Sequence, residues 1–597
     1  MDSSAQPIPL FLRILVGGGI VAAAPFLAPS GTPLPRAIAT IVDFARAHPT
    51  AYGVAWLVGF VLVLLATRVA IRVWFNELKP RLAGTYLRTS TYEFPWSTVD
   101  LMREVKRVIS GERRDYFVGR TPPKKALLGK REDVIALTER QRTMHLHVMG
   151  YTGSGKTASV VLPLAFQDIL RGKPVVIISA KGSDEEIRAV RNMCAVAGRS
   201  ADLRIFSLPF PHLSHTYNPL NVSRFMVNGV TQGDPLAVSE RVFSVFARDM
   251  EEPFYRNSAD AFFRSIISIL HHVVDDDGHA KPFTFHDVLQ CVQNPWALEW
   301  CLQRTTDFDS AANVKAQLAN LGPKAAQTLM GLQNLLQNYT TSPLLNVTTP
   351  DIVMDEVFER GLIVYWQLPA NYYAGLTQAV GKMVLQEIQQ AGARRQVFRG
   401  KTKQTHAGIF IDEFYNFAFD GFIDALNKLR DANFQFTLSH QSISDLERVS
   451  KEFATGVWDN TRTKIILYQN NPQLCEQIAK SIGTKQTLKR TSRHSMGALA
   501  VSLDMGEQSV REVEEFRLHP NAIKSLRELG QAYLVESNRY EAMNLGCLPE
   551  SFFKLDPEIP IVSRRPQGPG LDLRTKALAH AADEAARRAA EDPECLH

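Results

Sequence analysis

The chain has 597 residues, 45% of them hydrophobic and 21% charged, with a formal net charge of +6. That composition excludes a fibrous, low-complexity or wholly disordered polymer and predicts about three to five globular units. The mild charge gives no ground of its own for a nucleic-acid binder. The six cysteines (Cys194, Cys291, Cys301, Cys475, Cys547 and Cys595) form no C-x-x-C pair and no metal-ligand spacing. Neither a disulfide framework nor a zinc site is predicted from them.

The first elements in chain order are apolar. Ile8 to Ala28 is almost continuously so, broken by Arg13, by Gly17 to Gly19 and by Pro25; Ala51 to Ala66 is apolar again and continues past Arg68 and Arg72 to Phe75. At about 20 residues each, they predict a transmembrane hairpin over 1–76, with spans at about 8–28 and 51–75 in contact with lipid. A cleaved signal peptide is the competing reading, weakened by Asp2 and the lack of an early lysine. Arg68, Arg72, Lys79, Arg81 and Arg88 follow the second span, whereas the intervening loop holds Arg36 and Arg46 offset by Asp43. This bias puts both termini on the cytoplasmic side of the membrane. Residues 77–140 form a linker and the entry to the core.

A first nucleotide-binding part is expected over 141–224. His145 to Met149 is a short buried strand, and Ala158 to Gln167 opens a helix. Between them stands Gly150-Tyr151-Thr152-Gly153-Ser154-Gly155-Lys156-Thr157, which fits G-x-x-x-x-G-K-[ST] in the strand–loop–helix setting that the motif requires. Its backbone N–H groups would cradle the phosphates of ATP, with Lys156 on the β- and γ-phosphates and the Thr157 hydroxyl on Mg²⁺. Pro174 to Ser179 is a second strand. From 225 to 345 the apolar spacing is helical, as in Asp260 to Val274, which predicts an inserted all-α domain without a catalytic constellation.

The second nucleotide-binding part is expected over 346–565. Gly361 to Trp366 returns as a strand, and Ala407 to Ile411 is another, ending in Asp412-Glu413. An acidic pair after a buried strand is the Walker B arrangement: Asp412 on the metal and Glu413 on the attacking water. Phe434 to Ser439 is a further strand, and Gln441 just beyond its end is placed to sense the γ-phosphate or the water. Lys485 to His494 is a basic loop, either a phosphate-contacting channel lining or a solvated surface. The polar tail over 566–597 is expected to be disordered, apart from a solvated helix within Asp583 to Glu591.

Taken together, these motifs resemble the coupling proteins of type IV secretion systems, the TraG/TraD-like ATPases of the FtsK/HerA superfamily. The resemblance covers about residues 8–550. Its carriers are Arg142-Thr-Met-His145, the loop 150–157, Ala180-Lys-Gly182, Ser214-His-Thr-Tyr-Asn-Pro219, Asp412-Glu-Phe414, Ser439-His-Gln-Ser442 and the segment Arg511 to Pro520. One departure is Ser179, where the family often has an acidic residue. The resemblance implies an α/β, RecA-like P-loop NTPase core with an inserted all-α domain and a two-helix anchor in a bacterial inner membrane. It further implies a hexameric ring with nucleotide between subunits and an arginine supplied in trans. Arg430 is the first candidate for that arginine; Arg142 is the second, in contact with nucleotide. The implied partners are DNA, single-stranded and with or without a bound relaxase, or secreted proteins, together with other secretion components. Three functions stay open: a DNA-translocating secretion motor, a receptor for protein effectors, and a DNA pump unconnected to secretion.

Overall fold

The computed structural model describes residues 36–73 and 97–591, apart from 127–128, 222–225, 228–229, 232–233, 247–251, 399–403, 420, 497–501, 538 and 555–561. It divides into two compact units, Met1–Thr91 with Leu488–Glu512 and Tyr92–Thr487 with Val513–His597.

In the first unit, helices Arg36–Ala47 and Pro49–Val73 follow one another. No helix among the described residues is long and apolar enough to cross a membrane. The second expected span falls on Pro49–Val73, whose apolar stretch ends at Ala66, ahead of Thr67 and Arg68. That stretch is shorter than the roughly 20 residues that a bilayer core requires. The first expected span lies outside the described residues. The expectation of a multi-pass inner-membrane protein is thereby corrected.

The second unit is built on an eleven-stranded sheet. Its strands are β1 (Tyr116–Arg120), β2 (Val134–Leu137), β3 (Leu146–Met149), β4 (Val175–Ser179), β5 (Leu203–Ser207) and β6 (Ile363–Gln367). They continue with β7 (Ala407–Asp412), β8 (Phe434–His440), β9 (Thr463–Ile466), β10 (Gln531–Glu536) and β11 (Arg539–Leu545). The spatial order is β2-β1-β11-β10-β9-β3-β8-β7-β4-β6-β5. From β9 to β5 all neighbours are parallel, and from β10 to β2 they are antiparallel. Part of the stretch expected as a linker thus supplies two strands of the sheet.

The parallel strands are apolar runs because both of their faces are covered. Alternation along each strand divides them between two cores. Val175, Ile177, Ile363, Tyr365 and Phe410 share one core with Leu146 and Val148. Val176, Ile178, Val364, Trp366, Ile409 and Ile411 face the other, which extends into the helices inserted between β5 and β6. Those helices include Pro253–His272, whose Ala259, Phe262, Phe263, Ile266, Ile267, Ile269 and Leu270 are buried at helical spacing.

The Ser214–Pro219 motif clasps the base of this insert. The Tyr217 hydroxyl donates to Glu387 (2.5 Å), and Asn218 Nδ2 donates to the Phe283 and Val347 carbonyls (3.0 and 2.9 Å). The insert also contains a small ribbon, Met226–Val227 against Val230–Thr231, in a stretch expected to be helical. The sequence signal for it is Asn228-Gly229, a hairpin-turn dipeptide between β-branched residues.

Two other expectations change. The basic segment expected as a loop is strand, Thr484–Met496, in a two-stranded sheet with Ser502–Phe516. The tail expected to be disordered holds the helix Leu573–Glu591. That helix is anchored because Leu571 and Leu573 enter the core, the Leu573 N–H donates to buried Asp287 (2.8 Å), and His580 stacks on Trp296. Two leucines therefore outweigh a polar composition.

A candidate nucleotide site at the carboxyl end of the sheet

The loop from Gly150 to Lys156 leaves the carboxyl end of β3 and enters a π-helical turn, Thr157–Val161, before the α-helix Leu162–Leu170. Pro163 gives the reason for the π turn. It has no N–H to bond to Ser159, and its ring would press on that carbonyl, so the first turn widens. Gly155 has φ +85°, and a Cβ there would lie 2.9 Å from Leu529 Cδ1; a Cβ on Gly150 would lie 2.4 Å from Ser154 Oγ. Both positions need glycine for the loop to close. Tyr151, Thr152 and Gly153 are exposed. The Tyr151 ring meets Tyr468 edge-on at 6.2 Å. Ser154 Oγ is buried without a hydrogen-bond partner, an orphaned donor within the cradle.

Lys156 lies beneath the loop, only 6% exposed, with Nζ donating to the Gly150 carbonyl (2.8 Å) and 3.6 Å from Glu413 Oε1. Burial lowers its pKa, opposed by Glu413 and Asp412; burial raises that of Glu413, opposed by Lys156. Both partners are thus pushed toward their neutral forms. Glu413 has φ +50°, a strained backbone for a side chain of this size. Gln441 Nε2 is 3.4 Å from Glu413 Oε2.

Asp412 ends β7 and is buried. Thr157 Oγ1 donates to its Oδ2 (2.5 Å) and Ser439 Oγ to its Oδ1 (2.9 Å), while Lys181 Nζ lies 2.9 Å from Oδ2. Burial would raise the Asp412 pKa, but Lys181 and the two hydroxyls hold it below the usual carboxylate range. Asp412 is therefore an anion. A hydroxyl and a carboxylate that already accommodate a cationic nitrogen form a donor set that fits a hard divalent ion such as Mg²⁺.

Sequence reasoning missed two of the groups gathered here. Lys181 Nζ also contacts Thr157 Oγ1, and it lies 3.2 Å from Glu186 Oε1. Glu186 Oε2 in turn accepts from Ser179 Oγ (2.7 Å) and from the Tyr365 hydroxyl (2.9 Å). The helix Asp184–Val196 thus brings a carboxylate to the strand end where Ser179 stands. Ser183-Asp-Glu-Glu186 has the form of a capping box, yet the cap bonds are not made.

Two predicted residues lie elsewhere. Arg142 is fully buried beneath the start of β3, with Nη2 3.0 Å from Asp168 Oδ2 and its guanidinium over the Tyr116 and Phe410 rings. The expectation that it contacts nucleotide is corrected: a closed ion pair between aromatic faces has no surface to offer. Arg430 ends the helix Phe422–Asp431, just ahead of β8 and so at the amino end of the sheet. It lines a cavity of about 600 Å³ with His145, Trp458, Arg462 and Lys464. Within the chain it belongs to the opposite end of the sheet from Lys156.

The profile of the family described as Type IV secretory system Conjugative DNA transfer matches residues 102–539. No curated protein matches the chain. Among solved structures, the unbound bacterial conjugative coupling protein TrwBdeltaN70 is 17% identical, with 72% of this chain and 95% of that chain covered and a TM-score of 0.49. The plasmid coupling protein TrwB in complex with ADP and Mg²⁺ is 17% identical, with 70% and 88% covered and a TM-score of 0.47. VirB4 of Thermoanaerobacter pseudethanolicus is 14% identical, with 73% and 97% covered and a TM-score of 0.42. On the family match, which takes in most of its length, the chain belongs to the conjugative DNA-transfer family of type IV secretory systems.

Proposed function

We propose that the chain is a ring-forming ATPase that couples ATP hydrolysis to the movement of DNA, alone or with bound protein, in conjugative transfer. The observation that carries this reading is the convergence of Lys156, Thr157, Asp412, Glu413 and Gln441 at the carboxyl end of one sheet, where ligands of parallel sheets bind. The residues divide the work. Loop N–H groups and Lys156 hold the β- and γ-phosphates. Thr157 and Asp412 hold Mg²⁺, which when bound neutralises charge developing on the phosphates. Burial raises the Glu413 pKa, which makes its carboxylate form a stronger base for orienting water and drawing its proton, with Gln441 beside the carboxyl group. Arg430, about half exposed at the far end of the sheet, acts on the nucleotide of a neighbouring subunit in a hexamer.

The test is nucleotide turnover by the intact chain, with and without single- and double-stranded DNA. Lys156→Ala should abolish turnover, and DNA should stimulate the unaltered chain. Turnover no higher than that of Lys156→Ala under every condition would defeat the proposal. Arg430→Ala should lose activity and regain it in rings mixed with Glu413→Gln subunits, because each supplies what the other lacks. No regain removes Arg430 as a group acting in trans.

A further inference from the structure

The Lys181 ammonium makes three contacts: with Thr157 Oγ1, with Asp412 Oδ2 at 2.9 Å and with Glu186 Oε1 at 3.2 Å. Two of these oxygens are the ones assigned above to the metal ion. An ammonium and a divalent cation cannot share them, because like charges at such a separation repel strongly in a half-buried site. The third contact leads away. Glu186 is 6% exposed and is fixed by Ser179 and Tyr365, so its carboxylate is a preset acceptor beside the metal ligands rather than one of them. We infer that Lys181 is a built-in competitor for the metal position, which gives up Thr157 and Asp412 and stays on Glu186 when Mg²⁺ enters with nucleotide.

Several features fit a movable plug better than a fixed strut. Lys181 is 41% exposed, so its stem can swing without opening the core. It stands in the turn between β4 and the helix Asp184–Val196, outside both elements. Its partners include two carboxylates, so the plug is a paired ammonium. With the site filled by its own cation, Asp412 is not left as an uncompensated buried charge. Metal binding then costs the displacement of one ion pair, which makes the site selective for metal arriving with phosphates over metal alone.

This inference rests on the nucleotide-site reading, and the experiment separates the two. Free Mn²⁺ is followed by electron paramagnetic resonance as it is titrated into the full chain with a non-hydrolysable ATP analogue. Nucleotide affinity is measured separately in EDTA. Lys181→Met should lower the half-saturating Mn²⁺ concentration about tenfold and leave affinity in EDTA within about twofold. Glu186→Gln, which keeps the hydrogen bonds but removes the charge that retains the lysine, should raise the Mn²⁺ midpoint about threefold. A melting scan without nucleotide is the second measurement: Mn²⁺ should stabilise Lys181→Met and leave the unaltered chain unmoved. If Lys181→Met folds poorly, Lys181→Gln should show the same lowered midpoint. An unchanged or raised midpoint in the lysine variants overturns the inference while leaving the site intact. A tenfold loss of affinity in EDTA overturns it too, by making Lys181 a phosphate ligand. An unaltered chain that binds neither nucleotide nor Mn²⁺ overturns both readings.

Discussion

The two ends of the central sheet carry similar charges and use them differently. At the carboxyl end, Lys156 pairs with Glu413 at 3.6 Å and Lys181 with Asp412 at 2.9 Å beside exposed backbone, and several contacts can be exchanged for a ligand. At the amino end, Arg142 is sealed against Asp168 between two aromatic rings, and Lys464 is buried with Nζ donating to the Thr461 carbonyl (2.6 Å). The two ends share strands: β3 begins beside Arg142 and ends at the phosphate loop. What separates the function of one end from the scaffolding of the other is direction along a parallel strand. A charge just before a strand meets helix ends and core; a charge just after it meets helix N-termini and open loop.

The comparison breaks most visibly if charge at the carboxyl end proves structural. Glu413→Gln removes the proton acceptor but keeps the side-chain shape and the Gln441 contact. Turnover should fall about 10²- to 10⁴-fold with nucleotide affinity and melting temperature little changed. Steady-state turnover, equilibrium binding and a melting curve check this together. A variant that loses stability in proportion to activity would place Glu413 with the scaffold.

The converse substitution is Arg142→Met. It leaves Asp168 buried with Lys173 at 3.7 Å and the Tyr116 hydroxyl at 2.8 Å, but without its guanidinium. Stability should drop by about 3–5 kcal/mol, as for other buried pairs that lose one partner. The molecules that remain folded should turn over nucleotide at a near-normal rate, read from denaturant melts and activity per folded chain. A selective loss of nucleotide affinity at unchanged stability would restore Arg142 to the site.

This difference also explains how much was legible. The phosphate loop, the acidic pair and five parallel strands could be found in the sequence because each is local: Gly150 to Thr157 and Ala407 to Glu413 carry their chemistry within a few residues. Arg142 could not be placed that way. Its neighbours in sequence suggest a strand edge near nucleotide, whereas its partner is 26 residues away in the last turn of the helix that follows the phosphate loop. Glu186 was hidden because it reaches the site through Ser179 and Tyr365, the second of them 179 residues away, and the tail helix because Leu571 and Leu573 find their core only in three dimensions. The antiparallel half of the sheet was missed because β1, which carries β2 on its outer side, pairs with β11, more than 400 residues distant.

The finest test of the comparison is Lys464, a charge buried at the closed end. Its side chain is 7% exposed, over the Trp458 ring at 4.5 Å, and burial lowers its pKa to about 8 despite Asp459 on the preceding helix. His147 on β3, which also faces it, is kept neutral by burial, and the cavity beside it adds Arg430 and Arg462, whose charges oppose a further cation. The folded pKa lies below the unfolded value of about 10.4, so between these limits the unfolded chain binds more protons. Stability should therefore rise with pH from about 8 to about 10.4, and below pH 8 the full cost of burying the ammonium, up to about 3 kcal/mol, is carried. Lys464→Met removes that cost without opening a large cavity. It should stabilise the chain by about 1–2 kcal/mol at pH 7 and flatten the slope above pH 8, as measured by denaturant melts across pH. Nucleotide affinity should not move. A variant that is less stable at pH 7 would mean that the ammonium holds the amino end together through its bond to Thr461, and that this end, like the other, depends on a working charge.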